Sequence, residues 1–279
     1  LRTVCGLSTR EVAGLFFDAE PTMGQRLSRA KTKIAAAGIP FGVPEPEDWP
    51  KRLDSVLTTL YLIFTVGYAA GPDEPRDLCA EAEYLVRLVD RLRPEVAEIE
   101  GALAMMLLIG SRRRARVAAD GASVPPAEQD RSLWDTARIA EGRSVLREAV
   151  GRGTPGPFQI KAAIADCHML DGGPDWPQIV ELYGALMRLE PTPVVQLNTA
   201  VAVAEAGHPH AALQAVESLA PWMSGYQPWL AARAALLVMT GDTVGARAAY
   251  RVALDHTDNA ADALLLARKV AALGEPEGA

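Results

Sequence analysis

Apolar residues recur at helical spacing almost from the first residue of the chain. In Leu7-Ser8-Thr9-Arg10-Glu11-Val12-Ala13-Gly14-Leu15-Phe16, the side chains of Val12, Leu15 and Phe16 share one face of a short helix. Ser8 and Glu11 have the spacing of a capping box, in which each side chain satisfies a free backbone N–H at the helix start. Pro21 suits the first turn of a second helix, because its φ is already helical and its missing N–H would have no intrahelical partner there. Along that second helix Met23, Leu27, Ala30 and Ile34 form a stripe that is predicted to pack against the first helix and its neighbour. Ala35-Ala36-Ala37-Gly38 ends it with a glycine stop. The pattern predicts a helix-turn-helix within residues 1–40.

Pro40, Pro44, Pro46 and Pro50 then interrupt any regular helix, since each removes a donor and restricts the residue before it. Ile39, Phe41, Val43 and Trp49 make this linker too apolar for a free tether, so it is expected to lie against a domain surface. Helical pattern resumes from Lys51. The stretch between Ser55 and Gly71 has no charge, but with Thr58, Thr59, Thr65 and two glycines it falls short of the roughly 20 strongly apolar residues of a membrane span. A buried core helix is the expectation. After Gly71-Pro72, residues 77–92 predict an amphipathic helix through Ala80, Leu85, Leu88 and Leu92. Pro94 is expected to start the next helix, whose run Ala102 to Ile109 is apolar all round and therefore belongs inside.

Beyond Gly151, Gly153 and Pro155 the pattern repeats. Gly173, Gly207 and Gly241 recur at an interval of 34 residues, and Ala212 and Ala246 follow the last two by five. That period belongs to tetratricopeptide repeats, in which a turn Gly joins two antiparallel helices and a small residue lets them pack closely. Units are expected near 159–192, 193–226 and 227–260, with Asn259 to Leu273 as a capping helix. The first unit matches least well, having Gln178 where the others have Ala. The fold class is all-α: a helix-turn-helix remnant (residues 1–40), a linker and helical extension domain (41–154), and a tetratricopeptide-like helical-hairpin solenoid (155–279).

Charge adds to this picture. The chain carries a formal net charge of −7, yet residues 1–40 hold six Lys/Arg against three Asp/Glu, leaving 22 against 32 for the rest. A basic head on an acidic body suits a nucleic-acid contact confined to one end. On the second helix Gln25, Ser28 and Thr32 lie opposite the apolar stripe, with Arg29 beside Gln25 and with Arg26, Lys31 and Lys33 nearer the edges. Gln and Arg can pair bidentately with adenine and guanine edges, while flanking cations hold phosphates without reading sequence. The predicted contacts are Gln25, Ser28 and Arg29 to bases and Arg26 and Lys33 to the backbone, with Thr22 in the first turn.

Leu7-Ser8, Glu11-Val12-Ala13, Thr22-Met23, Arg26-Leu27, Arg29-Ala30-Lys31 and Lys33-Ile34 resemble the C-terminal promoter-reading region of bacterial sigma factors of the extracytoplasmic-function group. Gly38-Ile39-Pro40-Phe41 and the long helical remainder resemble the subgroup with a large tetratricopeptide-like C-terminal extension. Phe17 stands where the family often has a turn Gly or a small residue. The resemblance implies that the second helix inserts at the upstream promoter element. It further implies that core RNA polymerase is a partner, and that a polymerase-binding, promoter-melting part precedes Leu1. The extension is expected to regulate the sigma module in cis, by docking on it or on polymerase.

Two polar clusters flank a loop with Gly121, Pro125 and Pro126. Arg112, Arg113, Arg114 and Arg116 offer a second phosphate contact, a dock on polymerase, or partners for Glu128, Asp130 and Asp135; the nearness of these acids in sequence favours internal pairing. Cys5, Cys79 and Cys167 are odd in number and widely spaced, so a reducing cytoplasm is expected and no disulfide framework. His168, His208, His210 and His256 lack the spacing of a helical metal pair. No phosphate-cradling loop or nucleophile motif occurs, so no catalysis, cofactor, metal or membrane association is predicted. Two rivals stay open: a non-sigma helix-turn-helix regulator with a repeat-type sensor domain, separated by copurification with core polymerase, and a tetratricopeptide interaction scaffold, separated by salt-dependent DNA binding.

Overall fold

A computed structural model describes residues 6–16, 18–38, 46–70 and 76–274 of the chain. Cys5, the turn residue Phe17, the linker at 39–45 and Gly71-Pro72 lie outside the described residues. Among the described residues there are fourteen α-helices and no strand, and the fold is all-α.

The first hairpin consists of α1 (Thr9–Leu15) and α2 (Glu20–Ala36). Both bonds of the capping box are present: Ser8 N–H donates to Glu11 Oε2 at 2.6 Å, and Glu11 N–H donates to Ser8 Oγ at 3.1 Å. Pro21 occupies the first turn of α2, and Gly38 takes a left-handed conformation, φ 59°, beyond its end. The apolar stripe is only half used. Met23 is buried and Leu27 half-buried, but Ala30 is exposed and Ile34 is 55% exposed. The correction has a simple cause: α1 is too short to accompany a helix of 17 residues, so the C-terminal half of α2 stands clear of its partner.

Next come α3 (Trp49–Ala70), α4 (Leu78–Leu92) and α5 (Ala97–Gly110). By length and composition α3 would be long enough to cross a membrane. In the structure its Leu57, Leu60, Ile63, Phe64 and Gly67 are buried. Gly67 permits a close crossing, because a Cβ there would stand 2.7 Å from Cys79 N and 2.8 Å from Leu78 Cβ at the start of α4. The face that α4 buries is Leu78, Cys79, Ala82 and Val86, not the predicted line through Ala80, Leu85, Leu88 and Leu92, of which Ala80 and Leu92 are exposed. Contact with α3 decides this rotation, and local spacing does not reveal it. Pro94 does not open α5. Glu95 is left-handed, φ 63°, and the helix begins three residues after the proline. From Ala102 to Leu108 every side chain of α5 is buried, as its pattern predicts.

A loop with an antiparallel bridge between Val117 and Ser123 leads to α6 (Thr136–Gly151). Three hairpins follow: α7 (Pro157–Cys167) with α8 (Trp176–Leu189), α9 (Pro193–Glu205) with α10 (Pro209–Ser218), and, after the one-turn α11 (Ala220–Met223), α12 (Gln227–Met239) with α13 (Thr243–Asp255). All three turn glycines adopt positive φ: 97° at Gly173, 99° at Gly207 and 88° at Gly241. At the last two the cap is the same Schellman pair. Gly207 N–H donates to Ala204 O and His208 N–H to Val203 O; Gly241 N–H donates to Val238 O and Asp242 N–H to Leu237 O. The first turn is one residue longer, so α8 is capped by Asp175 and its fourth residue is Ile179. Ile179, Ala212 and Ala246 are therefore equivalent, each at most 1% exposed, while Gln178 faces solvent. The apparent mismatch at Gln178 is a register shift of one.

The last helix, α14 (Ala260–Ala272), is capped by Asn259, whose Oδ1 accepts from the N–H groups of Ala261 and Asp262. It does not project as a free end. Ser123 N–H donates to Ala261 O and Ser123 Oγ to Asp262; Arg268 pairs with Asp120 and Lys269 with Glu128. The expected pairing of the arginine knot with Glu128, Asp130 and Asp135 is thus corrected. Glu128 meets Lys269, and Asp130 and Asp135 cap helix starts. Arg113 finds Asp77 at 2.6 Å, and Arg116 lies over the Tyr68 ring.

The apolar clusters do not follow a division at 154/155. One runs from Leu7, Val12, Ala13 and Met23 through α3, α4 and α5 to Phe158, Ala162, Ala165 and Met169. A second fills the later hairpins, and a small third joins α7, α8 and α9.

Candidate nucleic-acid interface

Thr22, Gln25, Arg26, Ser28, Arg29 and Lys33 are all exposed. They are brought together because α2 is regular over its whole length, so that positions three and four apart form adjoining rows. From Thr22 to Lys33 the surface is about 16 Å long at 1.5 Å per residue. Met23, on the opposite side, ties the helix into the core and so fixes which side faces outward.

The electrostatics of the face are uneven. Arg26 pairs with Asp18 in the turn, so its cation is already partly compensated. Arg10, at the start of the hairpin, pairs with Asp258 near the end of the solenoid, both side chains being well exposed. Arg29, Lys31 and Lys33 have no carboxylate set against them among the described residues. Thr32 turns inward on the helix, its hydroxyl donating to Ser28 O at 3.1 Å. The strongest unshared positive charge therefore lies in the second half of α2, which is also the half without a packed neighbour on its apolar side. Among the described residues no group of three or more His, Cys, Asp or Glu side chains is placed to hold a metal ion.

One charged residue has a setting that sequence reasoning missed. Arg112, read as one member of a basic knot, is buried and only 8% exposed. The signal available was its position two residues after the all-apolar helix, ahead of the exposed Arg114.

Residues 52–150, from α3 to α6, match a family of unknown function, DUF6596. The chain is also similar to an uncharacterized protein of Rhizobium meliloti (strain 1021), with 45% identity over 269 residues that take in 94% of this chain and 64% of that protein. The chain thus spans less than two thirds of that relative's length.

Proposed function

We propose that this chain is the promoter-reading and regulatory portion of a sigma factor of the extracytoplasmic-function group, acting in the cytoplasm and without enzymatic activity. On this reading α2 enters the major groove at the upstream promoter element. Gln25, Ser28 and Arg29 reach base edges, Arg26 and Lys33 hold phosphates, and Thr22 lies at the leading end. Core RNA polymerase is the protein partner.

The observation that carries the reading is the exposed row from Thr22 to Lys33, with Arg29, Lys31 and Lys33 free of opposing acids. Regulation in cis is supported by the shared core. Leu7, Val12, Ala13 and Met23 belong to the same apolar cluster as α3, α5 and the first solenoid helix, so rearrangement of the extension reaches the hairpin directly.

The test is duplex binding by the full chain, with and without core polymerase, across a range of salt. The expected result is sequence-preferring binding that weakens with salt, together with copurification of core enzyme. Sequence-specific binding without any association with core would support a conventional regulator instead. No salt-dependent duplex binding would leave an interaction scaffold.

A further inference from the structure

A cleft of about 630 Å³ opens between the end of α1, α3, α5 and the first two solenoid hairpins, its lining including Phe16, Tyr61, Arg112, Lys161, His168 and Tyr183. Most of the charge in it is accounted for. Lys161 holds Glu190 at 2.6 Å and lies over the rings of Tyr61 and Phe158, at 4.9 and 4.8 Å. Asp54 is exposed, where water screens it. His168 is neutral, since burial, and then the charge of Arg112, bring its pKa down to about 4.

Arg112 is the exception. Its Nε is sealed from solvent with no hydrogen-bond partner, and its Cζ lies 5.9 Å from the centre of the Trp134 ring. The charged and titratable groups that act on it are Tyr68, Arg116 and His168, none of them a carboxylate. No carboxylate among the described residues is set against it. Burying a guanidinium without a counter-ion is costly, and an apolar side chain of similar volume would serve the fold as well or better. A planar guanidinium on the wall of a cleft this size has the geometry to hold a carboxylate or phosphate by two parallel N–H bonds.

We propose that this cleft binds a small organic anion, its carboxylate or phosphate seated on Arg112 and its apolar or aromatic body lying against Tyr61, Tyr183 and Phe16. Binding there offsets the desolvation of Arg112. Phe16 closes the first helix of the promoter-reading hairpin, so an occupied cleft touches the element that carries α2. That consequence rests on the transcription reading; the binding itself does not.

The experiment is calorimetric titration and thermal melting of the full chain with benzoate, phenyl phosphate and the neutral benzamide as probes. Saturable binding of at least one anion is expected, with benzamide weaker by tenfold or more. Arg112→Met is expected to lower anion affinity tenfold or more while the unliganded variant melts at or above the parent. Arg114→Met, on an exposed member of the same knot that does not line the cleft, is expected to bind like the parent. The proposal is overturned if neither anion binds up to about 10 mM, the range of very weak affinity. It is equally overturned if benzamide binds as well as the anions, if Arg112→Met binds them unchanged, or if that variant melts well below the parent or fails to fold, which would make Arg112 a structural residue. Because no DNA is involved, these outcomes are independent of whether the chain reads promoters.

Discussion

Asn259 Nδ2 donates a hydrogen bond of 2.8 Å to the backbone oxygen of Ala69, joining the start of the last helix to the end of α3 across 190 positions of sequence. The same side chain caps α14 through Oδ1, so one residue serves two elements that local sequence never brings together. Asn259→Ala is expected to lower stability by about 1 kcal/mol, chiefly from the lost cap, since the exposed Ala69 oxygen keeps water and the Arg116 guanidinium at 3.5 Å. Asn259→Asp keeps the cap acceptor and removes the donor, so it should lose distinctly less. Urea midpoints of the two variants at unchanged slope check this.

Two glycines should respond in opposite directions. Gly67→Ala places a methyl 2.7 Å from the backbone nitrogen of Cys79, which cannot yield without moving α4, and about 1–3 kcal/mol of stability should be lost. Gly184→Ala, in mid-helix on α8 with nothing within 4 Å of the new methyl, should gain about 0.5–1 kcal/mol because the unfolded chain loses freedom. Paired melting curves decide both, and a gain at Gly67 would contradict the close crossing of α3 and α4.

Acid should weaken the fold through His168. Burial first, then Arg112, hold its folded-state pKa at about 4, below the ordinary value of 6.5. Between these values the unfolded chain takes up a proton that the folded protein refuses. Stability from this group is therefore whole above pH 6.5 and declines as pH falls toward 4. His168→Gln should remove that part of the decline, a difference on the order of 2–3 kcal/mol at the acid end. Denaturant curves of parent and variant between pH 7 and 4 test it; parallel pH profiles would argue against a buried neutral imidazole.

Base reading and phosphate holding should separate on α2. Arg29→Ala is expected to weaken a preferred upstream element by about 1–3 kcal/mol and to relax its specificity, while Lys33→Ala weakens all duplexes alike and lowers the salt slope by about 1. Equal loss on specific and random duplex for Arg29→Ala would remove it from the base-reading set.

How far these features can be read from sequence depends on how local their causes are. The capping box at Ser8 and Glu11, the stop at Gly38 and the 34-residue turn glycines are each fixed by a few neighbouring residues, and each is present as expected. The buried face of α4 is not of this kind. Its leucines offer more than one apolar line, and the close approach of α3 at Gly67 selects the one through Cys79, Ala82 and Val86. Spacing also failed at Gln178, where one added turn residue moves the buried position to Ile179. For the arginine knot, nearness in sequence pointed to the wrong acids: Asp77, from the start of α4, meets Arg113, and Glu128 is taken by Lys269 of α14. The row on α2 was legible because an exposed face needs only the helix period, whereas the isolation of Arg112 depends on which acids fail to reach it.

The stitching of α14 to the loop around Ser123 gives the hairpins a property that an open stack lacks. A displacement at one hairpin cannot dissipate at a loose terminus; it has to be absorbed somewhere along a loop of contacts that passes through α3 and the first core. Cutting that seam at Ser123, Asp262 or Arg268 would open this circuit rather than trim an end, and its effects should surface far from the cut.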